Sequence, residues 1–128
     1  MSHYVINVIK KMLDKFFSTK LYINFNSLKK NLSYFEKKLP LSTELIAVLK
    51  ANAYGFGDVK IAKELVKTGI KYIAVADFEE GIRLRKHGIK IPVMIMYPGL
   101  NNLKSIIAND LEPTIYSLPM LNKLILES

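Results

Sequence analysis

Four apolar runs recur along the chain: ELIAVLK (44–50), KYIAVAD (71–77), IPVMIMY (91–97) and EPTIYS (112–117). In the first three the apolar residues are consecutive rather than alternating, the pattern of strands covered on both faces, as in a parallel sheet. The stretches between them carry apolar residues at helical spacing, with start and stop residues in place. Asp58 reads as the cap of a helix carrying Val59, Ala62, Leu65 and Val66, which Gly69 ends. Asp77 caps one carrying Phe78, Ile82 and Arg85, which Gly88 ends. A third follows YPGL with Leu103, Ile106 and Ile107, and Ser117 caps a last one with Pro119 in its first turn. Ahead of these, LYINFNSLKKNLSYFEKKLP reads as a short strand, then a helix whose Leu28, Leu32 and Phe35 face inward.

Strand–helix alternation of this kind spells successive βα units. The predicted fold class is α/β, a parallel (β/α) barrel of TIM type, of which four units are about the first half. A complete (β/α)8 barrel needs about 250 residues. An open half exposes strand edges, so the sequence predicts a truncated piece of a larger protein that is poorly soluble or self-associating. A doubly wound dinucleotide-binding sheet is disfavoured, because GFG at 55–57 lacks the third glycine of the phosphate-binding turn.

Residues 1–20 stand apart. Val5, Ile9, Met12 and Phe16 fall on one helical face, which predicts a basic amphipathic N-terminal extension. Lys10 and Lys11 break its apolar run before the ~7–15 residues of a secretion signal or the ~20 of a membrane span. A cytoplasmic protein with no membrane span is expected. Residues 21–128 form the predicted barrel portion.

Composition changes the picture little. Half of the 128 residues are apolar, enough for a core, and the chain has no cysteine, so neither disulfides nor thiolate metal sites arise. His3 and His87 are too far apart in sequence to form a metal-ligand cluster, and no metal is expected. The formal charge of +8 is concentrated in residues 1–50, which hold nine lysines against three acids. A basic front half can signal nucleic acid or an anionic surface. These lysines are scattered, however, with no arginine run and no interleaved aromatics, which argues for solvated faces and no nucleic-acid role. A basic non-enzymatic interaction module is the alternative reading of this half.

Candidate chemistry centres on AVLKANAYGFG (47–57). Alternation places Ile46, Val48 and Lys50 on one side of the strand. In a barrel, a residue at a strand's C-terminal end faces the mouth, where sites are built. Partial desolvation there favours the neutral amine, which attacks aldehydes and serves as a base. The small residues after Lys50 allow close approach of a ligand, and Tyr54 offers a phenol to a phosphate oxygen. A strand-end lysine that simply extends to water remains the plain alternative. Glu79 and Glu80 are adjacent, so on a helix they point about 100° apart and share no site. They read as first-turn acids favoured by the helix dipole. Tyr97 and Tyr116, at strand ends, could line the barrel mouth, but read first as packing residues. Asn52 reads as turn chemistry.

AVLKANAYGFG resembles the signature of alanine racemase, whose lysine carries pyridoxal 5′-phosphate (PLP) as a Schiff base. INFNSLKKNL is similar to that family's opening strand and helix, and IAVADFEEGIRLRKHGIKIPVMIM to its second and third βα units. The resemblance runs from about residue 21 to the C-terminus and covers the N-terminal part of the PLP-binding barrel. It implies that Lys50 is the cofactor-bearing catalytic lysine and one of two bases, that Tyr54 lies near the cofactor phosphate, and, on a looser match, that Met96 is an apolar neighbour of the cofactor. It also implies interconversion of L- and D-alanine, the latter for cell-wall peptidoglycan, by a homodimer. In that family the second base is a tyrosine of a C-terminal domain acting across the dimer, which this stretch does not contain, so the chain alone is expected to be inactive. A PLP-binding barrel without racemase activity is the other enzyme-like reading. The motif departs from the family at Phe56, where histidine is frequent.

Overall fold

In a computed structural model of the protein, residues 19–128 are described. The expected helix over the first residues therefore lies outside the described residues. Helix α1, Phe25–Glu36, starts where the Asn24 side chain accepts from the Asn26 and Ser27 amides at 3.0 and 3.1 Å. Four strands follow: β1 Ile46–Val48, β2 Tyr72–Val75, β3 Val93–Ile95 and β4 Glu112–Pro113. They pair in the order β1-β2-β3-β4, every pair parallel. Between and after them come α2 Asp58–Lys67, α3 Phe78–Lys86, α4 Leu103–Ala108 (preceded by a 3-10 turn, Leu100–Asn102) and α5 Leu118–Glu127. This is the expected series of βα units, a four-stranded partial barrel.

Several helix ends follow the sequence. Asp77 accepts from the Glu80 amide at 3.0 Å, and Ser117 from the Met120 amide at 3.4 Å. Gly69 and Gly88 follow α2 and α3 in the left-handed region, at φ 100° and 86°, which only glycine adopts without cost. Other expectations are corrected. Each strand is shorter than its apolar run. Residues 21–24 form no strand, since no neighbouring strand among the described residues pairs with them, and Leu21 and Tyr22 are exposed. On α1, Phe25, Leu28 and Leu32 pack against the core, but Phe35 is 57% exposed beyond the core's reach, its ring edge-on to Tyr34.

Register decides which residues share a face. Ala47 pairs with Ile73, Ile73 with Val93, and Val75 with Ile95, so these side chains lie on the helix-covered face. Ile73, Val75, Val93 and Ile95 are fully buried there with Ala62, Leu84 and Ile106. Burying each large side chain contributes roughly 1.5–3 kcal/mol. Helix α3 lies close on this layer because Gly81 has no side chain: a Cβ there would meet Ile95 Cδ1 at 2.8 Å and Leu111 Cδ1 at 3.0 Å.

The opposite face carries Ile46, Val48, Tyr72, Ala74, Met94 and Glu112. It corresponds to the barrel interior, and it is only partly covered: Ile46 and Val48 are 48% and 40% exposed. Near its N-terminal end the Tyr72 hydroxyl donates to Glu112 across β3. Burial, reinforced by the Glu112 carboxylate, pushes the Tyr72 phenol from the usual 10 up to about 12. The folded value lies above the unfolded one, so the associated stabilisation is complete below about pH 10 and is lost as pH rises towards about 12. Tyr72→Phe is expected to remove the last-titrating component from the ultraviolet phenolate titration of the chain. An unchanged high-pH component in that variant would disprove the assignment.

Candidate functional site

The site is built at the C-terminal end of β1. Extended backbone stops at Val48, and the Leu49 amide makes the last ladder bond, to the Ala74 carbonyl at 2.8 Å. Leu49 then turns to φ −117°, ψ 18°, so the strand alternation that would align Lys50 with Ile46 and Val48 is broken one residue before it. Lys50 opens a helical turn, Lys50–Tyr54, that is left-handed: Ala51, Asn52, Ala53 and Tyr54 all have φ between 52° and 55°. Left-handed backbone costs a non-glycine residue roughly 1–2 kcal/mol, and natural chains rarely place several in a row. Four in succession must be held by specific bonds.

Those bonds are visible. The Ala53 amide donates to the Leu49 carbonyl at 2.9 Å. The Asn52 carbonyl accepts from Gly55 at 3.1 Å and from Gly57 at 2.9 Å, while its side-chain Oδ1 accepts from the Asp58 amide at 3.1 Å. Asn52 is thus turn chemistry, as its residue type suggests. Gly55 and Gly57, at φ 89° and 90°, close the turn. Asp58 is not the cap expected from sequence. Gly57 holds that position, and Asp58 is the first residue of α2, with its side chain 4% exposed. Its carboxylate accepts from the Val59 amide at 2.7 Å and from Arg83 Nε at 2.8 Å, and also pairs with Arg83 Nη2. The direct bond to Asp58 holds the Arg83 guanidinium above its usual pKa.

Glu80, expected only to be a first-turn acid favoured by the helix dipole, is instead bonded into this turn. One carboxylate oxygen accepts from the Ala51 amide at 2.6 Å, the other from the Ala76 amide at 2.8 Å. It therefore joins the turn after β1 to the end of β2. A signal for it exists in the spacing Asp77-x-x-Glu80, in which a third-position acid reaches back to backbone amides ahead of its helix. Here it reaches one residue further back and across to the neighbouring strand. Glu79 is exposed, and its side chain makes no hydrogen bond or ion pair among the described residues.

Lys50 is half-buried, and no ion pair or hydrogen bond to its amine is formed among the described residues. Met96 lies just past β3, half-buried, its amide bonded to the Val75 carbonyl at 2.9 Å. Lys50 and Met96 therefore stand at the same, C-terminal end of the sheet. Tyr54 is 63% exposed at the end of the left-handed turn, and Phe56 is 49% exposed. Tyr97 and Tyr116, expected to pack, are instead 75% and 66% exposed on this rim, with the Tyr116 hydroxyl 3.4 Å from the Pro98 carbonyl. A cavity of about 250 Å³ lies at the other end of the strands, lined by Leu39, Pro40, Leu45 and Ile70. It is remote from Lys50. Among the described residues no acid–histidine group could hold a metal ion, and no helix is long and apolar enough to cross a membrane.

The family model described as alanine racemase, N-terminal domain, matches residues 23–127. The chain is 33% identical over 114 residues to alanine racemase 2 of Caldanaerobacter subterraneus, covering 88% of this chain and 29% of the relative. It is 40% identical over 105 residues to the alanine racemase of Clostridium kluyveri, covering 80% and 26%. It is similar in structure to the alanine racemase of Clostridium difficile 630 solved in complex with cycloserine, with a TM-score of 0.78 and 36% identity over 82% of this chain and 29% of that one. The chain spans less than a third of the length of these relatives.

Proposed function

The chain belongs to the alanine racemase N-terminal domain family, and from that premise we propose that it forms the lysine-bearing part of a PLP-dependent alanine racemase. The observation that carries this reading is Lys50 itself: a half-buried residue whose amine has no ion-pair partner among the described residues, at the C-terminal end of the first strand, in a backbone turn held in a costly conformation.

The residues present suit the cofactor. Space beside Gly55 and Gly57 is open, with nothing within 4 Å of where a side chain would begin, so a ligand can approach the backbone there. PLP, when bound, supplies an electron sink that makes the α-proton of alanine acidic. Lys50 is the anchor for its aldehyde and the base that holds the proton at Nζ. Tyr54 presents its hydroxyl to the cofactor phosphate, and Met96 supplies an apolar wall. Racemisation needs a second base on the opposite face of the substrate, contributed by regions of the racemase beyond these βα units. In the whole enzyme we place the activity in the cytoplasm, in a homodimer that supplies D-alanine for peptidoglycan.

The test is to incubate the chain with PLP, reduce with borohydride and map the modified residues by mass spectrometry. The chain has 17 lysines, and PLP reacts with exposed amines generally, so the distribution decides. Selective modification of Lys50, lost in urea and lost in Lys50→Ala, is expected. Label scattered over the lysines equally with and without urea would reject the reading.

A further inference from the structure

We infer that Glu80 is the positioning residue for Lys50. This rests on the reading of Lys50 as the cofactor-bearing lysine, and it adds a residue to that site rather than a new site. Lys50 itself has no side-chain partner to orient it among the described residues, so its placement depends on the backbone either side. On one side, the Leu49 amide is tied to the Ala74 carbonyl of the neighbouring strand at 2.8 Å. On the other, the Ala51 amide is tied to Glu80 at 2.6 Å. Glu80 is itself fixed at its other oxygen by the Ala76 amide at 2.8 Å and at its own amide by Asp77.

The consequence is mechanical. The bonds of the Asn52 carbonyl and side chain close the left-handed turn on itself and onto α2. Glu80 instead ties the first left-handed residue to β2 and α3. Without it, no hydrogen bond ties the turn to the end of β2 on the far side of Lys50, and a strained segment relaxes where it is least held. A carboxylate is the group that can do this: it accepts from two amides at once and donates to neither, and bonds to a charged acceptor are the stronger kind.

Glu80→Gln discriminates, because its amide keeps one acceptor but turns a donor toward the other backbone N–H. Three quantities are measured on the full chain: hydrogen exchange of the Ala51 amide, the pH profile of Lys50 acylation by trace acetic anhydride, and the share of borohydride-trapped PLP on Lys50. In the wild type the Ala51 amide is protected. In Glu80→Gln its exchange rises about tenfold, as loss of one charge-assisted bond implies. The Lys50 acylation profile departs from that of the wild type, and its share of trapped PLP falls toward that of any other lysine. Glu79→Gln leaves all three unchanged, and Glu80→Asp, which is too short to reach both amides, gives the same three changes and replaces the Gln variant should that one not fold. An unprotected Ala51 amide in the wild type overturns the inference. So does a folded Glu80→Gln whose Lys50 profile coincides with the wild type. Wild-type PLP trapping away from Lys50 would instead reject the cofactor reading, while the exchange and acylation measurements still report on the strap.

Discussion

Arg83→Met is expected to destabilise the chain by about 3–5 kcal/mol, more than removal of the acid it pairs with. The asymmetry follows from burial. Asp58 has 4% of its side chain exposed and Arg83 44%, so water can take over part of the arginine's solvation but little of the carboxylate's. Deleting Arg83 leaves Asp58 with one backbone donor, the Val59 amide, and an uncompensated charge inside the fold. Deleting Asp58 leaves a guanidinium that is already partly hydrated, and its cost falls nearer ~2 kcal/mol. The double variant Asp58→Asn/Arg83→Met removes the buried charge and keeps an acceptor for Val59, so it should regain at least half of the single variant's loss. Urea unfolding followed by circular dichroism reads all three. A double variant no more stable than Arg83→Met would show that the charge is not the cause.

Arg85→Met carries the second large effect. The Arg85 side chain is 14% exposed and donates to four backbone carbonyls: Ile89 at 2.8 Å, Ile91 at 2.7 Å, Asn109 at 3.3 Å and Asp110 at 2.6 Å. It thereby joins the end of α3 to the segments entering β3 and β4. Its ion pair with Asp110, at 3.9 Å to a 98% exposed carboxylate, adds little. Each bond from a charged donor is worth roughly 1.5–3 kcal/mol, with partial compensation when water reaches the freed carbonyls. A loss of about 3–4 kcal/mol is expected, much of the ~5–15 kcal/mol that stabilises an ordinary domain. Arg85→Lys should recover less than half, because one ammonium cannot span the carbonyls that the flat guanidinium reaches. Full recovery by lysine in thermal unfolding would mean that positive charge alone, and not the fork geometry, is what the position needs.

Exposure on the uncovered sheet face accounts for another sequence expectation. The consecutive apolar residues of β1 correctly indicate a strand meant for burial on both sides. Yet Ile46 and Val48 remain 48% and 40% exposed, since the described residues cover one face with helices and the other only in part. Periodicity registers what a residue is suited to, whereas coverage depends on what lies across from it. The same distinction explains Leu21 and Tyr22: they are suited to a strand but have no pairing partner among the described residues.

By itself, the sequence determined the series of βα units, the capping roles of Asp77 and Ser117, the glycines that end α2 and α3, and the place of Lys50 at the end of the first strand. These are local properties, set by side-chain period and backbone preference over a few neighbouring residues. Only the tertiary structure decided that Asp58 is a buried partner of Arg83 rather than a helix cap, that Arg85 ties three segments together, and that Glu80 spans the ends of two strands. Each of those contacts joins residues about 25 or more positions apart or serves several carbonyls at once. Beyond the local reach of Glu80 back to Ala76, no local pattern encodes them, because the distance between such groups exists only after parallel pairing has brought successive βα units side by side.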